Sequence, residues 1–274
     1  MRNQISMAAS VLPILVLSAC TSQSDAGVAK DATEATGEWV DLTHALGPDT
    51  IFWPTAEPYV HEKVFAGRTE AGYYYSTYNL ALSEHGGTHL DAPVHFAEGR
   101  QGADQVPLKR LIGPAAVIDV TAAAARNADY QVTRADVLAW EEANGLLPEG
   151  AIVLVRTGFA KRWPDAASYL GTTLKGDAGV AALHFPGMSE EAARLLAEER
   201  DIAAVGIDTA SIDYGQSQDY IAHQVILGRN IPVFENVADL SALPAAGATV
   251  VALPAKIKDG SGAPLRIVAR LPAE

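Results

Sequence analysis

The runs "AIVLVRTG" (151–158) and "IAAVGID" (202–208) are apolar at consecutive positions and do not alternate. A strand of that kind must be covered on both faces, so the sheet that holds it lies between layers. "AAVIDV" (115–120), "IPVFEN" (231–236), "TVVALPAKI" (249–257) and "PLRIVARL" (264–271) are further short apolar, β-branched runs. "YYYSTYNLALS" (73–83) alternates well enough for one more strand. Helices fall between some of these runs. Thr133 caps "RADVLAWEEAN", with Asp136 three residues later and Gly145 at the end. Ser189 caps "EEAARLLAEER", and "QDYIAHQVILG" (218–228) is apolar at helical spacing and closes on Gly228. The last three strands follow one another with no helix between them. The expected fold is a single α/β domain with a mixed β-sheet, curled around a site and flanked by helices. With 49% hydrophobic residues, the chain has the material for such a core.

The first part of the chain is set apart from this pattern. Arg2 gives a positive start, and "ISMAASVLPILVLSA" (5–19) is an apolar run too short for a comfortable membrane span. It ends in Leu17-Ser18-Ala19-Cys20, which resembles the cleavage box of bacterial lipoproteins, whose cysteine carries the lipid. Residues 1–20 are therefore expected to be a lipoprotein signal, with Cys20 as the lipidation site. Cys20 is the only cysteine, which excludes an intramolecular disulfide. Residues 21–37, "TSQSDAGVAKDATEATG", are small and polar and read as a flexible tether. The folded domain is expected over residues 38–274. The expected location is outside the cytoplasm, lipid-anchored in the cell envelope, with no other membrane contact.

Several function classes are disfavoured. A net charge of −13 without a basic stripe argues against nucleic acid as a partner. There is no Gly-x-Ser-x-Gly elbow and no Walker or dinucleotide glycine pattern.

The chemistry concentrates in "SEHGGTHLDAPVHF" (83–96), which places His85, His89, Asp91 and His95 within eleven residues. A helix here would cost about 2 kcal/mol for Gly86 and Gly87 together. Pro93 also disfavours helical geometry at Ala92. A glycine-bearing turn at a strand end fits better. On an extended segment His89 and Asp91 point the same way, with His95 close behind. Two imidazoles and a carboxylate converging on one point make a metal site of the N and O ligands that Zn²⁺ or Mn²⁺ accepts.

The stretch also resembles the His-x-Gly-Thr-His-x-Asp-x-Pro-x-His signature of the metal-dependent cyclase family, which includes bacterial kynurenine formamidases and isatin hydrolases. "RTGF" (156–159), "HFPGMS" (184–189) and "GIDTASID" (206–213) resemble family segments too. The resemblance implies a swivelling β/β/α-like fold and a metal-dependent hydrolase of a small aromatic or cyclic amide, with one or two Zn or Mn ions. It implies His85, His89 and Asp91 at the first metal, with Asp91 bridging if there are two. His223 and Glu235, twelve positions apart, would complete a second half-site. His95 would be the catalytic proton shuttle. A metal acidifies water and polarises the amide carbonyl, and a histidine protonates the leaving nitrogen. Trp53 in "IFWPT" matches a tryptophan that contacts aromatic substrate in the formamidases. The segment lacks the Pro-Gly-Asp that follows in many of them, which leaves N-formylkynurenine and isatin both open. The resemblance also implies a homo-oligomer, a dimer or tetramer. A non-catalytic metal- or ligand-binding lipoprotein is the rival reading; His95, a base beyond the ligands, favours catalysis. His184 is a candidate for the pocket edge, and His44 and His61 for structural or surface positions. Asp208 and Asp213 are expected to brace turns or support the site residues.

Overall fold

The structure is a computed structural model that describes residues 37–273. The expected signal 1–20, its Cys20, and the tether 21–37 apart from Gly37 lie outside the described residues. Twelve strands occur along the described chain. They are β1 (Trp39–Asp41), β2 (Val60–Arg68), β3 (Tyr74–Ala81), β4 (His89–Asp91), β5 (Ile112–Asp119), β6 (Gln131–Val132), β7 (Ala151–Arg156), β8 (Gly187–Met188), β9 (Ile202–Ile207), β10 (Val233–Glu235), β11 (Ala246–Pro254) and β12 (Gly262–Arg270). The helices are α1 (Thr121–Ala124), α2 (Arg134–Asn144), α3 (Ala166–Leu170), α4 (Gly176–Val180), α5 (Glu190–Glu198) and α6 (Ile221–Leu227).

The main sheet runs β1-β12-β11-β5-β7-β9-β10-β4. β4 also pairs with the start of β12, so the sheet closes on itself. β5, β7, β9 and β10 are parallel, and the remaining pairings are antiparallel. The sheet is thus mixed and curled, as the order of runs and helices implies.

The non-alternating runs are explained by where their two faces go. On β7, Val153 and Val155 pack outward against Trp140 of α2, Leu195 of α5 and Ile226 of α6. Ile152 and Leu154 pack inward with Leu90, Phe234, Val250 and Ile267. Successive residues thus enter opposite clusters, as the strand period of two requires. Each such aliphatic side chain contributes roughly 1.5–3 kcal/mol on burial.

Two features differ from the sequence reading. The tyrosine-rich run forms β3, but β3 pairs only with β2, as a separate hairpin. Val60, Tyr74, Tyr75, Tyr78 and Leu80 on it are exposed. Alternation predicts a strand without saying which sheet receives it. The second concerns α6, which starts at Ile221 rather than near residue 218. Tyr220 before it takes a left-handed conformation, φ 51°. The free amides of the first turn go instead to Asp213, whose Oδ1 accepts from Ala222 N at 2.9 Å. The expected caps of the other two helices are present: Thr133 Oγ1 accepts from Asp136 N, and Ser189 Oγ from Ala192 N. No helix among the described residues is long and apolar enough to cross a membrane.

Candidate metal centre

β4 is three residues long and wholly buried. It is wedged between β10 and β12, where Glu235 pairs with His89 and Gly262 with Asp91. The strand period sends Leu90 into the inner core and leaves His89 and Asp91 together on the other side. Directly opposed antiparallel residues share a face, so Glu235 joins them. Two glycines make the approach to β4 possible. A Cβ at Gly86 would overlap the ring of Phe52, and Gly87 sits at φ +61°.

Hydrogen bonds fix which nitrogen of each histidine faces inward, because an acceptor on one ring nitrogen requires the proton there. His223 Nδ1 lies 2.6 Å from Asp213 Oδ2 and donates to it. That leaves His223 Nε2 as a lone pair, 3.1 Å from Asp91 Oδ2 and 3.2 Å from Glu235 Oε1. His89 Nδ1 donates to the Gly87 carbonyl at 2.9 Å. Its Nε2 is buried without a hydrogen-bond partner, 3.2 Å from Asp91 Oδ1 and 3.5 Å from Glu235 Oε2. His85 Nε2 donates to Ser261 Oγ at 2.9 Å, since that hydroxyl spends its own proton on Glu84 Oε2 at 2.7 Å. His85 Nδ1 then faces Asp91 Oδ1 at 2.6 Å.

Three imidazole lone pairs and two carboxylates therefore point at one another with nothing but acceptors between them. Asp91, His89, His223 and Glu235 are each at most 4% exposed. Buried charge is stable only when paired or coordinated. Two things can fill the gap: protons on the imidazoles, or a divalent cation. In the protein alone, protons take the role. Burial opposes a charged His223, but hydrogen bonds to Asp213, Asp91 and Glu235 outweigh it and hold its pKa well above the ordinary value. For His89, burial is likewise outweighed by Asp91 and Glu235, and the pKa is raised. Burial would raise Asp91, yet the imidazoles of His223, His85 and His89 beside it hold it well below the usual carboxylate range. Burial, and then the charge of Asp91, push Glu235 up. Each raised imidazole is a nitrogen that a cation can claim by displacing the proton.

The donor set fits a cation. Two groups of three ligand atoms, each within 4.8 Å of one another, occur among the described residues. One is His85, Asp91 and His95; the other is His89, Asp91 and Glu235. Asp91 belongs to both. His95 stacks on His85 with ring centroids 3.9 Å apart, and burial lowers its pKa to about 4. His95 is thus neutral at pH 7, and it stands beside His85, within ligand reach of Asp91.

The centre forms one end of a cavity of about 380 Å³. Ile51, Phe52, Trp53, Phe96 and Tyr220 supply much of its apolar wall. Phe96 also lies over the His223 ring at 4.4 Å, and Trp53 meets Phe185 edge-on at 6.4 Å. A small aromatic molecule suits such a volume and lining.

The structure brings His85, His89, His95, His223, Glu235 and Trp53 to this one cavity, with Asp91 buried against His85, His89 and His223. His184 is not part of it: the side chain is half exposed and pairs with Asp129 at 2.8 Å. Its place just before the buried Phe185 suggests proximity, but neighbours on an extended chain point apart. His44 stacks on Trp163, and His61 on Tyr78 of the hairpin. Asp208 accepts from Thr157 N and Gly158 N, bracing the "RTGF" turn, and Asp213 holds His223. Glu84, Asn236 and Ser261 also bear on the centre and were not legible as such. Asn236 Nδ2 donates to the Gly87 carbonyl that orients His89. Its one sequence signal is its position directly after Glu235.

The family model named Cyclase matches residues 40–214. The isatin hydrolase of Roseibium aggregatum is 31% identical over 249 residues, 86% of this chain and 92% of that protein. The kynurenine formamidase of Bacillus cereus is 29% identical, over 86% of this chain and 98% of that protein. Among solved structures, isatin hydrolase A from Labrenzia aggregata bound to benzyl benzoate superposes with a TM-score of 0.77 at 36% identity. That match covers 86% of this chain and 94% of the other. With its fold, its histidine-carboxylate centre and these relatives in agreement, the chain belongs to the Cyclase family.

Proposed function

We propose that the chain is a metal-dependent hydrolase that cleaves a C–N amide bond of a small aromatic or cyclic amide. The observation that carries this is the convergence of three imidazole lone pairs on Asp91 and Glu235 at one end of an apolar cavity. His85, His89, Asp91, His223 and Glu235 are the ligands in this reading, holding one or two Zn²⁺ or Mn²⁺ ions. The place of Asp91 in both ligand groups supports two.

A bound divalent cation supplies a Lewis acid that polarises a carbonyl and acidifies water. The chain's own residues do the rest. Trp53, Phe52 and Phe96 orient a flat substrate and keep bulk water from the reacting carbon. His95 Nδ1 or Nε2, neutral because of burial, accepts the proton released as water adds to the carbonyl. The C–N bond then breaks, and His95 returns that proton to the leaving nitrogen.

Two substrates follow from the relatives. Opening of an isatin-like ring is supported by the solved isatin hydrolases at 30–36% identity. Deformylation of N-formylkynurenine, giving kynurenine and formate, is supported by the formamidase relatives. We also place the protein outside the cytoplasm, anchored through Cys20, on the strength of the Leu-Ser-Ala-Cys pattern. The exposed apolar side chains of hairpin β2–β3 support a dimer or tetramer, which sedimentation would test.

The test is metal per chain and turnover of both amides on one preparation, with His95→Ala alongside. Bound metal, turnover of either amide, and a loss of roughly 10²–10⁴ in His95→Ala without loss of metal are expected. Metal without turnover of any amide would favour a binding protein, and absence of metal would sink the reading.

A further inference from the structure

The three imidazoles of the centre are held from behind in three different ways. His89 leans on a carbonyl, His223 on a carboxylate, and His85 on a hydroxyl that itself leans on a carboxylate. The third arrangement is the unusual one, because a hydroxyl can point either way. Ser261 Oγ can accept from His85 Nε2, or donate to it. If it donated, His85 would carry its proton on Nδ1, aimed at Asp91, and would present no lone pair to a cation.

Glu84 decides the direction. Its Oε2 accepts from Ser261 Oγ at 2.7 Å, from Ser261 N at 2.9 Å and from Gly262 N at 3.2 Å. That oxygen already accepts from two backbone amides and so is an acceptor toward the hydroxyl too, which donates to it and accepts from His85. The Ser261 carbonyl in turn accepts from Ala92 N at 2.9 Å, which ties this turn to the residue after Asp91. The next residue, Gly262, lies so close that a Cβ there would meet His85 Cε1 at 2.6 Å. The turn is thus packed directly against the Nε2–Cε1 edge of the ring.

We infer that Glu84 and Ser261 are positioning residues for the metal centre, forming a carboxylate–hydroxyl relay that holds His85 with Nδ1 free. The inference rests on the metal-centre reading. Partners that orient a metal-bound histidine typically change affinity 10–100-fold when removed.

The experiment uses the full chain, prepared metal-free and titrated with Zn²⁺ and with Mn²⁺ by calorimetry. Ser261→Ala is expected to bind about 10–100-fold more weakly. Ser261→Thr, which keeps the hydroxyl, is expected to restore most of that loss. Glu84→Gln is expected to weaken binding too, because an amide can donate to Ser261 and reverse the relay. In the double variant Glu84→Gln/Ser261→Ala the losses should not multiply, since the carboxylate acts only through the hydroxyl. Thermal unfolding of the metal-free variants separates these effects from loss of fold. A second readout needs no metal: in ¹⁵N-histidine spectra, the His85 Nε2 proton should exchange slowly in the parent and fast in Ser261→Ala. Parent-like affinity in Ser261→Ala, multiplying losses, or unchanged exchange would each overturn the relay. A parent that binds neither ion would overturn the metal-centre reading, and the exchange measurement would still decide the relay.

Discussion

Asp213 Oδ2 accepts from both the ring Nδ1 and the backbone N of His223, at 2.6 and 3.1 Å. One carboxylate therefore caps helix α6 and sets the tautomer of the histidine in its first turn. The two roles separate in Asp213→Asn. Asparagine caps about as well as aspartate, so unfolding free energy should change by less than about 1 kcal/mol. The ring loses its ionic partner, and divalent metal affinity should fall roughly 10–100-fold. Calorimetric titration beside urea unfolding of the metal-free protein checks both halves; an equal loss of fold and affinity would refute the separation.

Metal removal should lower thermal stability. The centre confines two buried carboxylates and three imidazoles that a cation would neutralise. At a metal concentration a hundredfold above Kd, linkage adds about 2.7 kcal/mol. For a domain of this size that is about 5–11 °C in Tm. Calorimetric scans with and without chelator read the shift directly, and coincident scans would count against a bound ion.

Gly87 occupies a left-handed conformation, and a Cβ there would meet Leu46 Cδ2 at 2.8 Å. Gly87→Ala should destabilise by about 1–3 kcal/mol. It should also disturb the carbonyl that orients His89, so activity should fall by more than stability alone explains. Unfolding curves and kcat, taken on the same protein, make the comparison.

Trp53 stands on the apolar wall of the cavity, braced edge-on by Phe185. Trp53→Ala should raise KM by about tenfold, equivalent to about 1.4 kcal/mol of aromatic contact, and leave kcat within a few-fold. Steady-state kinetics on the better of the two amides would show it. A selective fall in kcat would move Trp53 into the chemistry.

Far from the centre, Glu141 of α2 and Arg200 form two hydrogen bonds, at 2.7 and 2.8 Å, with the Glu141 side chain 6% exposed. The bond from Arg200, opposed by burial, holds the Glu141 pKa below its ordinary 4.5. A folded-state pKa below the unfolded one means that the contribution is fully present above about pH 4.5. It is lost as pH falls through the lower folded value. Glu141→Gln should therefore destabilise by about 1–3 kcal/mol at pH 7. The gap from the parent should narrow in unfolding curves taken below pH 4.

The sequence by itself determined the local structure. Consecutive apolar residues in β7 and β9 required two covered faces, and both faces are covered. Thr133 and Ser189 announced the starts of their helices because a cap is a contact within four residues. His85, His89, Asp91 and His95 were legible as a group for the same reason: eleven residues with two glycines and a proline leave few ways to hold them apart. His223 and Glu235 came from the family resemblance, not from spacing. Only the tertiary structure set Glu235 opposite His89, through the antiparallel register of β10 on β4. It also carried Ser261 to His85, 176 positions away, by closing β12 onto β4. Pairing register and sheet closure are settled by the packing of all the strands at once, and no short window of sequence contains that information.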